Sequence, residues 1–327
     1  MIEEIVPNMY RTEIPLPRSP LKSLNSYIVK GGDRFLIIDT GFNCEECLNE
    51  MSANLQKLGV DLDRTDLFIT HLHVDHMGLA GTLARSGSKV YFNGQEARQI
   101  NSAHYEQKDY WQKIMEIYVA NGFAAEGVRM SMESHPAHKY GLKRRLDFTI
   151  VEEGDMIDVG DFHFRCVATP GHSPGHMSLY EADKKILVAG DHILFDITPN
   201  IAFWLEMEDA LGQYFASLEK VSALDVKMVL TGHRRLVHDL RGRVKELKEH
   251  HRARLNEVLI ALGEGQENIL QIAPRIQWDI TARTWEEFPP PQKWFAFGET
   301  MAHVKYLEAK GVVRSRSQNG TIKYALA

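Results

Sequence analysis

One six-residue run constrains this chain more than any other feature: His71-Leu72-His73-Val74-Asp75-His76, set directly after the short apolar segment Leu67-Phe68-Ile69-Thr70. Four side chains that bind metals through nitrogen or oxygen occupy six positions. Residues i and i+2 of an extended backbone point to the same side, so His71 and His73 are expected to share one ion. Asp75 and His76 follow where the chain must leave the strand, with Gly78 permitting a tight path, and are placed for a second ion beside the first. Imidazole with carboxylate suits zinc, and also iron or manganese. Four residues do not complete two sites, so the fold must bring the remaining ligands to the same place.

The candidates share a local grammar of an apolar strand-like run, then a glycine, then a residue able to bind metal. His172 lies in Thr169-Pro170-Gly171-His172, past the run Phe162–Ala168. Asp191 lies in Gly190-Asp191-His192, past Lys185–Ala189, and His233 lies in Thr231-Gly232-His233, past Met228–Leu230. Glycine at these points lets the backbone approach a site closely. Histidine is plentiful, 15 in 327 residues, as a metal protein of this kind requires.

Short apolar runs alternate with helical stretches through the first 240 residues, which predicts a layered protein of helices and sheets. Strands are expected at Asn25–Val29, Arg34–Ile38, Leu67–Thr70, Val90–Phe92, Phe148–Val151, Met156–Val159 and Phe162–Ala168. Helices are expected at Cys44–Leu58 and near Leu79–Ser86. From about residue 95 to 145 the chain turns polar, aromatic and helical in pattern and reads as an insertion. After His233 a helix is predicted over Leu240–Leu262, a break at Gly263-Glu264-Gly265, and a loop at Pro289-Pro290-Pro291. A helix carrying Met301, Val304 and Leu307 follows, and then a hairpin around Asn319-Gly320, a strong two-residue turn signal. The division this suggests is a catalytic unit at 1–245 and a small winged-helix-like domain at 246–327.

Taken in order, His-x-His-x-Asp-His, a distant His, an Asp and a last His resemble the metallo-β-lactamase superfamily over roughly residues 1–240. The resemblance implies an α+β fold, a four-layer αββα sandwich with the metals at one edge. It implies that His71, His73 and His172 hold one ion, that Asp75, His76 and His233 hold the other, and that Asp191 bridges them. Asp39 then resembles the family's aspartate that braces a ligand imidazole, and His192 reads as a supporting or packing residue. The expected cofactors are two divalent ions, zinc first, with iron or manganese as alternatives. Ions about 3.5–4 Å apart can share a water and lower its pKa toward about 7, so a metal-bridging hydroxide, with Asp75 and Asp191 as catalytic carboxylates, is the expected nucleophile. A metallo-β-lactamase unit followed by a winged-helix-like tail resembles the β-lactamase-like protein 2 group. That leaves open a small-molecule ester, thioester or lactone hydrolase and an endoribonuclease or phosphodiesterase. A mononuclear iron dioxygenase and a nucleic-acid-binding regulator are the lesser alternatives.

Composition narrows these readings. A net charge of -6 does not suggest a general nucleic-acid binder, although Lys310, Arg314, Arg316 and Lys323 around the final hairpin could meet phosphates and make nucleic acid a partner. Three cysteines form no disulfide framework, the N-terminus reads as lacking a signal peptide, and no run is long and apolar enough for a membrane span. A cytoplasmic protein, working alone or as a homodimer, is expected. Tyr105, Tyr110, Trp111, Phe203 and Trp204 are candidates to wall a small-molecule pocket. Cys44-x-x-Cys47 on a helix reads as packing, and the tail as an accessory whose removal leaves hydrolysis intact.

Overall fold

The computed structural model describes residues 1–280 and 282–327, with the side chains of 102–109 outside the description. Seven strands form one sheet in sequential order: β1 Ile2–Val6, β2 Met9–Pro15, β3 Ser23–Lys30, β4 Phe35–Ile38, β5 Thr65–Phe68, β6 Val90–Asn93 and β7 Thr149–Val151. The first four pair antiparallel and the last four parallel. A second sheet holds β8 Met156–Val159, β9 Phe162–Ala168, β10 Met177–Glu181, β11 Ile186–Gly190 and β12 Met228–Thr231, in the order β12-β11-β10-β9-β8. Within it only β11 and β12 are parallel. β4 and β11 are buried throughout and read as continuous apolar runs, β5 is buried throughout with Asp66 paired to Arg34, and β8 alternates exposed and buried residues at a sheet edge.

The helices are α1 Glu45–Leu58, α2 Val74–Met77, α3 Ala80–Leu83, α4 Gly94–Ala120, α5 Ala125–Glu133, α6 Pro136–Tyr140, α7 Ala210–Ser222, α8 Leu240–Gly263, α9 Ile269–Ile272 and α10 Pro290–Ala309. Three cores define the layers. Ile28 and Ile37 of the first sheet pack on Met51 and Leu55 of α1. Tyr27, Val29, Leu36 and Ile38, one residue out of phase, face Phe164, Leu179 and Val188 of the second sheet. Val167, Leu187 and Val229 on its outer face meet α7, α8 and α10. The order is helices, sheet, sheet, helices, as the resemblance implied.

The outermost core runs unbroken from insertion to tail: Tyr118 stacks on Trp294 of α10 at 4.1 Å, and the Tyr324 hydroxyl donates to Asn121 at 2.8 Å. The final hairpin, β13 Val313–Gln318 and β14 Thr321–Leu326, turns through Asn319 (φ 51°) and Gly320 (φ 77°), the positive pair its sequence announced. Three local expectations need correction. Pro290 does not lie in a loop but opens α10, where a missing N–H costs nothing. β1, β2, β10 and α7 are additional elements. The strand before the histidines ends at Phe68, because the Thr70 N–H leaves the sheet to donate to Asp39 Oδ1 at 2.8 Å. His71 and His73 therefore sit on a bend rather than an extended strand, and Asp75 and His76 sit on the single turn α2.

Candidate metal centre

Five segments meet at one edge of the two sheets, each leaving the C-terminal end of a strand: β4, β5, β9, β11 and β12. Three nitrogens converge first. His71 Nε2 lies 2.9 Å from His73 Nδ1, and His172 Nε2 lies 3.0 Å from the same atom. Beside them, His233 Nε2 stands 3.3 Å from Asp75 Oδ2 and 3.5 Å from Asp191 Oδ2. Asp191 spans both groups: Oδ1 is 3.4 Å from His76 Nε2, and Oδ2 is 3.7 Å from His172 Nε2. The ligand atoms of His71, His73 and His172, of Asp75, His76 and His233, and of His71, His76 and Asp191 form three sets, each within 4.8 Å.

The hydrogen bonds behind these side chains fix which nitrogen faces inward. His172 Nδ1 donates to the Asn200 carbonyl at 2.8 Å, and His233 Nδ1 to the Ser23 carbonyl at 2.7 Å. His76 Nδ1 donates to Asp39 Oδ2 at 2.7 Å. The Thr70 hydroxyl commits its hydrogen to Asp39 Oδ2 at 2.8 Å, so it accepts from His71 Nδ1 at 3.0 Å. A neutral imidazole that donates from Nδ1 presents a lone pair at Nε2. In its neutral form each of the four rings thus aims a bare Nε2 at the centre, and outer partners of this kind also raise ligand basicity. Asp39 does this from a left-handed backbone, φ 60°, a strained conformation of the kind that collects at working sites.

Electrostatics divide the centre in two. Burial lowers His71 well below its usual value and lowers His73 to about 3, so both are neutral imidazoles. Burial also pulls on His233, but Asp191 and Asp75 outweigh it and raise that ring to about 10. Burial raises Asp75, yet His76 and His233 bring it down to about 2, leaving it ionised. His76 Nε2, His233 Nε2 and Asp191 Oδ1 are buried without a hydrogen-bond partner. Orphaned donors and acceptors in such density are rare in native proteins. Five imidazoles and two carboxylates converging here fit a pair of divalent ions, which would take the place of protons on His233 and on His76, also raised well above its usual value against the pull of burial by Asp39, Asp191 and Asp75.

The glycines of the sequence grammar have a steric reason. A Cβ on Gly232 would lie 2.3 Å from Asp191 Oδ1 and 2.8 Å from His76 Cε1. One on Gly190 would lie 2.8 Å from both His176 Nε2 and Thr70 Oγ1.

The comparisons with known proteins agree with this geometry. The family profile described as Metallo-beta-lactamase superfamily matches residues 21–233. The chain belongs to this superfamily. The chain is 26% identical over 311 residues to the Bacillus subtilis "Probable metallo-hydrolase YqjP", covering 91% of this chain and 92% of that one. It is 24% identical to a "Beta-lactamase-like protein 2 homolog" of Caenorhabditis elegans, covering 90% and 82%. It is also 26% identical to the human "Acyl-coenzyme A thioesterase MBLAC2", covering 64% and 72%. Among solved structures, a metallo-beta-lactamase family protein of Thermus thermophilus superposes with TM-score 0.81 at 25% identity, covering 99% of this chain and all of that one. The chain is a metal-dependent hydrolase of the metallo-beta-lactamase superfamily.

Other residues singled out from the sequence fall unevenly around the centre. The Trp204 ring lies 5.9 Å from the His73 ring and its indole N–H donates to the His172 carbonyl at 3.1 Å. Phe203 donates its N–H to Gly298 of α10 at 3.0 Å. Tyr110 and Trp111 pack in the helical layer, Trp111 beside His135, His138 and Trp294. Tyr105 lies on α4, and its side chain is outside the description. His192 packs edge-on against Tyr214 at 5.3 Å rather than bracing a ligand. His176, by contrast, accepts the Asp191 backbone N–H at Nε2, 3.2 Å away.

Two supports were missed by sequence reasoning. Glu96 accepts from the Ser173 hydroxyl at 2.5 Å and the Gly175 N–H at 2.9 Å, clamping the loop that carries His172. Burial raises it to about 7. It follows Asn93-Gly94 after β6, so the strand-then-glycine grammar could have found it. The other support comes from the tail. Asn200, whose carbonyl holds His172, donates from Nδ2 to Glu299 Oε2 at 2.5 Å, and Glu299 Oε1 accepts from Arg254. No local sequence signal joins these three. The ligand atoms of His250, His251 and Glu299 also lie within 4.8 Å. Both Glu299 oxygens are already committed, however, and His251 Nδ1 donates to His303 Nε2 at 3.1 Å, so this group ties α8 to α10.

Proposed function

We propose that the chain hydrolyses an ester, thioester or lactone of a small molecule, with an apolar acyl group lying along Trp204. The observation that carries this reading is the indole beside His73, since Trp204 also lines an open groove of about 370 Å³ with Phe203, Leu205 and Met207 on one side and Glu208, Lys305 and Glu308 on the other. Apolar walls next to a few converging polar groups are the usual make-up of a small-molecule site. The thioesterase name of one relative points the same way. For the ligands, His71, His73 and His172 take one ion, Asp75, His76 and His233 the other, and Asp191 both. Zinc is the ion we assign, iron and manganese being the other metals such donors take. When bound, the ions supply an activated water and Lewis acidity toward the scissile carbonyl. Asp75, ionised and 3.3 Å from His233 Nε2, is the carboxylate that orients the nucleophile. Asp39, Thr70, Ser23 and Asn200 hold the ligand rings still, so that little reorganisation accompanies the reaction.

In this reading residues 246–327 are a winged-helix-like unit that supports the catalytic fold of 1–245 rather than binding nucleic acid. Of the basic residues near the hairpin, Lys323 and Arg316 both pair with Glu267, at 2.6 and 3.9 Å, which weakens a phosphate-binding surface. The test is a substrate panel with zinc-loaded protein: acyl thioesters, aryl esters, lactones, a phosphodiester and RNA. The reading expects acyl substrates to be turned over and Trp204→Ala to raise KM for long acyl chains with metal content unchanged. Preferential cleavage of RNA or the phosphodiester would sink it.

A further inference from the structure

Cys44 and Cys47 take no part in the centre, yet their placement exceeds what packing requires. Cys44 is the N-cap of α1, extended at φ -144° and ψ 164°, and half-buried; Cys47 lies one turn on and is fully buried. Their sulfurs are 3.4 Å apart. Cys47 Sγ–H also donates to the Pro15 carbonyl at the end of β2, at 2.9 Å, from within the core between the first sheet and α1. A half-buried thiol at a helix N-terminus, with a second, fully buried thiol beside it in C-x-x-C spacing, is an arrangement in which dithiols oxidise reversibly. Burial raises Cys47, and Cys44 beside it adds to the effect, so Cys47 stays a thiol until a partner sulfur reaches it.

The same loop grips the metal centre. Asp39 holds His76 Nδ1, and the Thr40 N–H and hydroxyl both donate to the His76 carbonyl, at 2.7 and 2.8 Å. The Gly41 carbonyl accepts from Leu79, just past α2, and a Cβ on Gly41 would touch Cys47 Cβ at 3.4 Å. Asp39 to Cys44 is thus a six-residue span clamped to His76 at one end and carrying the thiol pair at the other.

We propose that Cys44 and Cys47 are a reversible dithiol–disulfide pair whose oxidation state is felt at His76. The oxidant class is a small disulfide such as glutathione disulfide. The Cys44 thiolate attacks one sulfur of the oxidant, breaking its S–S bond and releasing one glutathione thiol. Cys47 then gives up its proton and attacks Cys44 Sγ, breaking the mixed disulfide and releasing the second glutathione. Two protein thiols are oxidised and one glutathione disulfide is reduced to two thiols. Closing the ring takes Cys47 off the Pro15 carbonyl and pulls on the loop that seats α2.

The test uses full-length, zinc-loaded protein equilibrated in graded mixtures of glutathione and its disulfide, then acid-quenched, alkylated under denaturing conditions and mapped by peptide mass. The expected result is an internal 44–47 disulfide that grows with the oxidised fraction and reverts with dithiothreitol, while Cys166 stays alkylated. Cys47→Ser should trap a glutathione adduct on Cys44, and Cys44→Ser should leave Cys47 alkylated. Wild-type protein that stops at the adduct, or that stays alkylated at every ratio, overturns the pair. For the link to His76, the rate at which a chelator strips zinc is compared between oxidised and reduced wild type. A several-fold difference that vanishes in Cys47→Ser supports it, and equal rates in both states overturn it.

Discussion

Glu299→Ala probes how a residue on α10 governs a metal ligand. Glu299 and Arg254 are 5% and 8% exposed, and the carboxylate binds both the guanidinium and the Asn200 amide. Removing one member of a buried ion pair costs about 3–5 kcal/mol, because the other charge is left uncompensated. Arg254 keeps the Trp278 ring at 4.3 Å and the Gln277 carbonyl at 3.2 Å, which places the loss near the lower end, about 3 kcal/mol. A second effect reaches the metal. Without Glu299 the Asn200 side chain is untethered, and its carbonyl is the partner of His172 Nδ1. Loss of such an outer partner weakens metal affinity about 10- to 100-fold.

Glu299→Gln separates the two effects. It removes the charge opposite Arg254 but keeps an oxygen for Asn200, so stability should fall while zinc affinity falls by less than about threefold. Urea unfolding of metal-free protein measures the first quantity, and zinc competition with a chromophoric chelator the second. Wild-type zinc affinity in the alanine variant, or equal losses of affinity in both variants, would refute a brace running from the tail to His172.

Four further outcomes follow from the same geometry. Truncation after residue 245 removes Arg254, Glu299 and much of the outer core, so the shortened chain should aggregate or lose cooperative unfolding, contrary to an accessory tail; a soluble, active fragment would show otherwise. Gly232→Ala puts a carbon 2.3 Å from Asp191 Oδ1 and should release metal, whereas Gly87→Ala, with nothing within 4 Å, should not, as metal analysis of both proteins would show. Glu96 is raised from 4.5 to about 7, so the stability it contributes is complete below 4.5 and is lost as pH rises through about 7. Wild-type protein should therefore lose stability relative to Glu96→Gln between about pH 5 and about pH 8 in denaturant titrations; parallel curves would remove the buried-carboxylate account. Chelating the metal should abolish hydrolysis and zinc should restore it, whereas activity that survives chelation would contradict a metal-dependent reaction.

How much of this was legible in the sequence depends on the range of the interaction. The ligand run and its three distal partners were readable because each follows a strand end and most a glycine, features that local patterning records. The hairpin at Asn319-Gly320 was readable for the same reason, since both residues need positive φ. The layered fold followed from strand runs buried on one or both faces. What escaped depends on contacts distant in sequence. Asn200 meets Glu299 across 99 positions and His233 meets the Ser23 carbonyl across 210, and nothing in the neighbourhood of any of them announces the partner. The tail looked separable because its own helices and hairpin are regular. Its apolar faces are complementary to α5 and α7, which composition does not reveal. Asp39 was readable as a polar residue ending a strand, but its double grip on Thr70 and His76 required the positive φ that only the structure displays.

The central claim is that seven side chains form one dinuclear centre with Asp191 common to both halves. Metal content of purified protein, wild type against Asp191→Ala, tests it most directly. The account predicts two ions per wild-type chain and a loss from both positions in the variant. A wild-type chain that saturates at one ion, or a variant that keeps the wild-type content, would contradict it.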